Sequence, residues 1–112
     1  GTGTWRRNPE ARWRLTPAQL ERYTAAQAHL LDIAAALVKP AEEGGGRLIY
    51  VTCSLLDVEG PDRIEAFLSA NPQWKAQTMA LPLGRECGSG LRLTPHHDGT
   101  DGFFIARLSR PW

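Results

Sequence analysis

The most apolar stretch of the chain, residues 47–51, predicts a short strand. It contains Leu, Ile, Tyr and Val in succession and follows three glycines, which is typical of a strand covered on both faces within a parallel sheet. Thr52, Cys53 and Ser54 come directly after it, and open α/β sheets bind their ligands at the carboxyl ends of strands. Cys53 is therefore a candidate for chemistry. The alternative is a small buried hydrophobe, since free cysteines are often buried.

Apolar residues at intervals of three and four before this strand predict a helix that covers a sheet. Thr16, Pro17 and Gln19 have the sequence of a capping box with proline at the first helical position, and Lys39-Pro40 marks the end of the helix. The predicted stripe consists of Leu20, Tyr23, Gln27, Leu30, Leu31, Ala34, Leu37 and Val38.

The rest of the chain predicts one more helix and two more strands. The helix begins at Gly60-Pro61 and ends at Asn71-Pro72, and a short edge strand lies within Trp74–Leu83. Residues 84–100 are polar and rich in glycine, which predicts a functional or a disordered loop. Gly102–Leu108 predicts a last strand, antiparallel to the one before it. The order helix, strand, helix, strand, strand is that of the closing half of a doubly wound α/β sheet.

Composition adds one local feature to this picture. The chain has 112 residues, 42% of them hydrophobic, and 13 basic and 12 acidic residues give a net charge of +1, so the sum does not indicate a nucleic-acid binder. Residues 1–15, however, contain four arginines and two tryptophans, a composition that suits phosphate contacts and stacking on unpaired bases. The alternative is a solvated loop whose tryptophans join the core. The residues concerned are Trp5, Arg6, Arg7, Arg12, Trp13 and Arg14.

The number of cysteines and the lack of a recognisable signal peptide favour a reducing, cytoplasmic setting. The spacing of the histidines does not favour a metal site. Cys53 and Cys87 are too few for a disulfide framework, and neither a signal peptide nor an apolar run of membrane-spanning length is visible. His96, His97 and Asp98 lack the spacing of a metal site. We therefore predict no metal ligands and no role for Cys87.

Four stretches, in order, resemble the RNA cytosine-5 methyltransferases of the Sun/Nop2 family. The resemblance is greatest to the bacterial type B enzymes that methylate 16S rRNA, and it implies that residues 1–112 are the C-terminal portion of such a domain. The fold would then be the C-terminal half of a class I, Rossmann-like methyltransferase sheet whose last strand is antiparallel between its neighbours. The stretches are Gly1–Trp13, which resembles the sequence after the family's Pro-Cys-Ser motif, Leu37–Pro40, Leu48–Ser54 with Glu59, and Asp101–Leu108.

The resemblance also implies a reaction and a set of site residues. Cys53 would be the nucleophile that adds to cytosine C6, with S-adenosylmethionine as methyl donor held mostly by upstream strands. Glu59 matches an acidic position of the family, although Gly60 replaces the usual Asn, and Glu59 would otherwise stabilise a helix N-terminus. Substrate contacts are expected from Arg6, Arg7, Thr52, Ser54 and Phe103; for Thr52 and Ser54 the alternative is to hold the strand end.

For the isolated chain these expectations have further consequences. The substrate would be RNA, rRNA rather than tRNA, but the chain alone would be inactive. The strand at 47–52 would be left as an open sheet edge, which favours self-association. A second hypothesis is a non-catalytic RNA-binding or interaction module that keeps the sheet without a cofactor site.

Overall fold

A computed structural model of the chain describes residues 2–5, 7, 10, 15–40, 43–79 and 81–110. The predicted order of elements is confirmed, and a hairpin and a short helix are added before the last strand. Short 3-10 turns lie at Thr2–Thr4 and Asp57–Glu59. The elements are α1 (Pro17–Leu37), β1 (Gly46–Thr52), α2 (Pro61–Ala70), β2 (Lys75–Gln77), β3 (Arg85–Cys87), β4 (Gly90–Leu93), α3 (Pro95–Asp98) and β5 (Phe103–Arg110).

Strand β5 is the centre of the sheet. Along one edge it pairs antiparallel with the whole of β1, from Gly46 opposite Arg110 to Thr52 opposite Phe104. Its other edge is shared by β2 and β4, and β3 pairs with β4. The prediction that the last strand is antiparallel between its neighbours is therefore confirmed. Within the described residues β1 pairs only with β5, so it has no parallel partner there and forms the edge of the sheet.

The core lies between one face of the sheet and the helices α1 and α2. Side chains alternate along β5 because successive residues of a strand point to opposite faces, and Phe104, Ala106 and Leu108 are completely buried. Phe67 and Trp74 meet edge to face, with 5.7 Å between ring centroids. The buried apolar residues are Leu31, Leu48, Ile64, Phe67, Trp74, Phe104, Ala106 and Leu108.

Helix α1 begins as predicted but covers less of the sheet than predicted. The capping box at Thr16 and Gln19 is present in both directions. Of the helix's residues only Leu31 is buried, whereas Leu30 is 61% and Leu37 82% exposed. The predicted stripe therefore covers the sheet only in part: Leu31, Ala34 and Val38 pack on the core, and no strand among the described residues lies beneath the outer part of the helix. No helix in the described ranges is long and apolar enough to cross a membrane.

The part of the chain that the structure describes covers strand β1 on one face only. Leu48 packs into the core, but Ile49 and Val51 are 56% and 54% exposed. The prediction of a strand buried on both faces is therefore wrong for this chain. The physical reason is that α1 and α2 both lie on the face that carries Leu48, and Val51 shares the other face with its partner Ile105.

Residues 84–100 are ordered, contrary to the predicted polar loop. They contain strands β3 and β4 and the helix α3. The carboxylate of Asp98 accepts hydrogen bonds from the Gly84 N–H (3.1 Å) and the Thr94 N–H (2.9 Å), which lower the pKa of Asp98. Gly99 ends α3 in the left-handed conformation, φ 67°. The strands are only three and four residues long, too short for periodicity to reveal.

Candidate active site

The thiol of Cys53 is exposed directly after the end of β1. This confirms the predicted position at a strand end and argues against the alternative of a buried hydrophobe. Cys87 is different, because it lies in β3, is half-buried and packs against the core. The two cysteines thus have the accessibility expected of a reactive thiol and of a packing residue, respectively.

The backbone of Cys53 is braced by two glycines from distant parts of the chain. The Gly3 N–H donates to the Cys53 carbonyl (3.0 Å), and the Gly102 N–H donates to the Gly3 carbonyl (2.7 Å). A Cβ at Gly3 would collide with the Gly102 carbonyl and would lie 2.9 Å from the Cys53 carbonyl carbon. Glycine is required at position 3 because three backbone segments meet there.

Two buried hydroxyl groups hold the chain that follows Cys53. Ser54 is 1% and Thr2 3% exposed, and their oxygens lie 3.0 Å apart. The Leu55 N–H donates to Thr2 Oγ1 (2.7 Å), and the Leu56 N–H donates to Ser54 Oγ (3.1 Å). Of the two roles predicted for Ser54, this geometry matches the one that holds the strand end.

Glu59 lies beneath this turn and is only 5% exposed. Its carboxylate accepts from Ser54 Oγ (2.7 Å) and from Gln27 Nε2 (2.9 Å), so burial of the charge is compensated by hydrogen bonds. The Tyr50 hydroxyl donates to the Glu59 carbonyl (2.6 Å). Burial, together with the charge of Glu59, raises the pKa of Tyr50 to about 12.

Arg7 and Asp101 form an ion pair beside this site. Arg7 Nε donates to both carboxylate oxygens (3.0 and 2.7 Å), and Nη2 lies 2.6 Å from Oδ2. The hydrogen bond to Asp101 and then its charge raise the pKa of Arg7, with a smaller contribution from Cys53. The Arg7 side chain remains 63% exposed, so it stays accessible to a ligand.

The other predicted substrate residues lie at the ends of strands or are not among the described residues. Thr52 is half-buried opposite Phe104 in the sheet. Phe103 is half-buried, whereas Phe104 is fully buried in the core. The predictions for Arg6, Arg12, Trp13 and Arg14 lie outside the described residues.

Comparison with protein families identifies the chain. The family described as 16S rRNA methyltransferase RsmB/F matches residues 1–109. The chain belongs to this family. A probable ribosomal RNA small subunit methyltransferase B of Synechocystis is 41% identical over 98% of this chain, and the methyltransferase B of Thermus thermophilus is 40% identical over 98%. The matched regions are 25% and 27% of those proteins, so the chain spans about a quarter of their length.

Solved structures agree with the family. The structure titled PH0851 is 38% identical, with a TM-score of 0.85 over 96% of this chain and 24% of its own. NSun6 from Pyrococcus horikoshii, solved with SFG, has a TM-score of 0.74 at 24% identity over 88% of this chain and 25% of its own, and shows the shared fold. The predicted C-terminal half of a Rossmann-like methyltransferase sheet is therefore confirmed.

In this chain of the RsmB/F family, helix α3 with its two histidines supports the fold. Both carboxylate oxygens of Asp98 accept hydrogen bonds from backbone N–H groups. Desolvation by burial, followed by the positive charge of Arg85, lowers the pKa of His97. Within the described ranges, no group of three or more His, Cys, Asp or Glu residues is placed to hold a metal ion.

Some residues that support the turn at residues 53–59, the Cys53 turn, are far from it in sequence and were not predicted. Thr2, Gln27 and Tyr50 all contact this turn. One signal was available, because Gln27 is a polar residue inside an apolar stripe. Nothing local in the sequence pairs Thr2 with Ser54.

Proposed function

We propose that residues 1–112 are the C-terminal portion of an S-adenosylmethionine-dependent RNA cytosine-5 methyltransferase that acts on rRNA. Cys53 is its nucleophile. The observation that carries this proposal is an exposed thiol at the end of β1, on a turn whose backbone is held by buried hydrogen bonds, in a chain of the RsmB/F family.

The proposed chemistry needs a thiol in this position. Cytosine C5 is a poor nucleophile, and addition of the Cys53 thiolate to C6 forms an S–C6 bond that makes C5 electron-rich. When bound, S-adenosylmethionine would supply the methyl group that C5 receives and would leave as S-adenosylhomocysteine. Loss of the C5 proton then restores the ring double bond and breaks the S–C6 bond, which returns the thiolate. The exposure of Cys53 suits attack on a base presented from solvent.

The described residues do not fit the methyl donor itself. An apolar groove near the site lies between α1 and β1, with a volume of about 260 Å³, and is lined mainly by leucine, isoleucine, alanine and valine. Such a groove offers few groups for the ribose and amino-acid parts of S-adenosylmethionine. We therefore propose that the donor is held mostly by residues upstream of this segment.

The RNA contacts of the proposal come from the N-terminal segment and the strand ends. Arg6, Arg7, Arg12 and Arg14 would pair with phosphates, and the exposed guanidinium of Arg7 supports this for one of them. Thr52 and Phe103 lie at the same end of the sheet as Cys53, where they can contact the base. The proposed RNA is rRNA, as the names of the relatives suggest.

A second candidate for the isolated chain is a non-catalytic RNA-binding or interaction module. The open edge of β1 favours it, because unpaired strand edges recruit other chains. We propose that two copies associate through this edge and the exposed Ile49 and Val51 beside it. Sedimentation should show dimers at high concentration, and Val51→Lys should shift them to monomers. Strictly monomeric wild-type chain would contradict the association.

The test of the catalytic proposal compares the two cysteines in a full-length enzyme that carries this segment. Cys53→Ser keeps the shape of the site but replaces the thiolate with a hydroxyl, so methyl transfer to rRNA should collapse while RNA still binds. Cys87→Ser is the matched control and should leave the rate nearly unchanged. RNA containing 5-azacytidine should trap a covalent adduct on Cys53. An active Cys53→Ser variant, or an adduct on another residue, would refute the assignment.

A further inference from the structure

We infer that Glu59 is a positioning residue for Cys53, because its buried carboxylate fixes a directional chain of hydrogen bonds beneath the nucleophile's turn. Glu59 does not touch the thiol. It binds the Ser54 side chain, and Ser54 directly follows Cys53. The catalytic consequence rests on the proposed function, whereas the structural consequence can be measured without it.

The hydrogen atoms of this chain of bonds can be assigned from donor counts. A carboxylate only accepts, and a hydroxyl has one hydrogen to donate. Ser54 therefore donates to Glu59 (2.7 Å), and the 3.0 Å contact between Ser54 and Thr2 must be donated by Thr2. Ser54 Oγ also accepts from the Leu56 N–H, and Thr2 Oγ1 accepts from the Leu55 N–H. Each hydroxyl hydrogen has a single orientation, which Glu59 determines.

Glu59 also joins the turn to two elements of the fold. Its second carboxylate oxygen accepts from Gln27 on α1, and its carbonyl accepts from the Tyr50 hydroxyl on β1. Through Ser54 and Thr2 the same carboxylate reaches the N-terminal segment. The side chain of Glu59 thus fixes the turn relative to α1. The backbone carbonyl of Glu59 fixes the turn relative to β1, the strand that precedes Cys53.

Two substitutions separate the geometry of Glu59 from its charge. Glu59→Ala leaves the buried Ser54 hydroxyl and the Gln27 amide without their acceptor, which is costly. In Glu59→Gln the amide nitrogen can donate to Ser54 while its oxygen accepts from Gln27. Ser54 then donates to Thr2, so the contacts survive with their direction reversed, and only the Thr2 hydroxyl hydrogen loses its acceptor. If Glu59 acts by position, the glutamine variant keeps the function that the alanine variant loses.

The structural test is hydrogen exchange of the Leu55 and Leu56 amides in the 112-residue chain, followed by NMR. Glu59→Ala should speed both amides by about tenfold or more, and Glu59→Gln should leave them within about twofold of wild type. Glu65→Ala is the matched control, because Glu65 also accepts from a serine hydroxyl but at the surface, and it should change neither amide. Unchanged exchange in Glu59→Ala would overturn the inference.

The catalytic test uses the full-length enzyme that carries the segment. Glu59→Ala should lower kcat by roughly 100-fold, the effect of a misplaced nucleophile, with KM for RNA nearly unchanged, and Glu59→Gln should restore most of kcat. A glutamine variant as inactive as the alanine variant would overturn a positional role. If Glu59→Ala does not fold, Ser54→Ala tests the same chain of bonds and should speed the same amides. A wild-type enzyme that transfers no methyl group, with the exchange results intact, would refute the proposed function alone.

Discussion

The turn at residues 53–59 and the hairpin region at residues 84–99 are both polar, yet they are ordered in different ways. The turn is held by residues far away in sequence: Leu55 bonds to Thr2, 53 positions earlier, and Glu59 bonds to Gln27, 32 positions earlier. The hairpin region is closed largely by its own Asp98, which binds N–H groups 4 and 14 positions away. The geometry of the turn therefore depends on the whole fold, whereas that of the hairpin region is mainly local.

The two cysteines lie one in each region, and their environments differ accordingly. Cys53 is exposed on the turn that distant residues hold, and Cys87 packs against the core from the locally closed hairpin region. The proposed nucleophile, Cys53, would gain from such distant support, because its position is then defined relative to several elements at once. The four predictions that follow test whether the two regions can be disturbed separately.

The largest effect is expected at Phe104, where the two regions meet. Its ring is so close to the backbones of Gly60 and Gly90 that a Cβ on either glycine would come within 3 Å of it. Phe104→Ala should lower the free energy of unfolding by about 3–5 kcal/mol, measured by urea denaturation, and should loosen both regions. Phe103→Ala is the control on the other face and should cost much less, since Phe103 is only half-buried. Equal losses would show that Phe104 does not join the regions.

A smaller effect, confined to the turn, is expected at Thr2. Thr2→Val keeps the shape but removes the acceptor of the Leu55 N–H and the donor to Ser54, which should cost about 1–3 kcal/mol. Thr24→Val is the matched control, because the Thr24 hydroxyl donates to a carbonyl on exposed helix α1, and it should cost a few tenths of a kcal/mol. Exchange of the Thr94 amide in the hairpin region should not change. Faster exchange there would contradict the separation.

Much of the fold could be predicted because its signals are local. The capping box at Thr16, the proline after Lys39 and the apolar run at 47–51 correctly marked α1 and β1. Burial was predicted less well. Leu30 and Val51 are exposed because no described residue covers them, and a periodic pattern does not show what covers an apolar face.

The candidate site likewise contains residues that could be predicted from local sequence and residues that could not. Cys53 was found from its position after a strand and from its resemblance to a family motif. The support from Thr2, Gln27 and Gly3 was not found, because it depends on how distant segments meet in space. The hairpin region was missed for another reason: strands of three and four residues between glycines have no measurable period.

Asp98 offers a test that is confined to the hairpin region and depends on pH. Its pKa is lowered in the folded chain by hydrogen bonds from Thr94 and Gly84. The stabilisation is therefore complete above the ordinary value of 3.8 and is lost as the pH falls through the lower, folded value. Asp98→Asn should speed exchange of the Gly84 and Thr94 amides at neutral pH and make it less sensitive to acid, while Leu55 exchange is unchanged. Faster exchange at Leu55 would show that the regions are coupled.

The smallest effect is expected at Arg7, which links the N-terminal segment to the body of the fold in addition to Thr2 and Gly3. Its pair with Asp101 is short, but the Arg7 side chain is 63% exposed, and exposed ion pairs contribute little because water and salt screen them. Arg7→Gln should lower the melting temperature far less than Thr2→Val does, because the buried hydroxyl bonds remain. Raising the salt concentration from about 0.05 M to about 0.5 M should weaken this small contribution in wild type and leave the variant unaffected. A loss as large as that of Thr2→Val would mean that the ion pair, and not the buried hydroxyl groups, holds the N-terminal segment against the Cys53 turn.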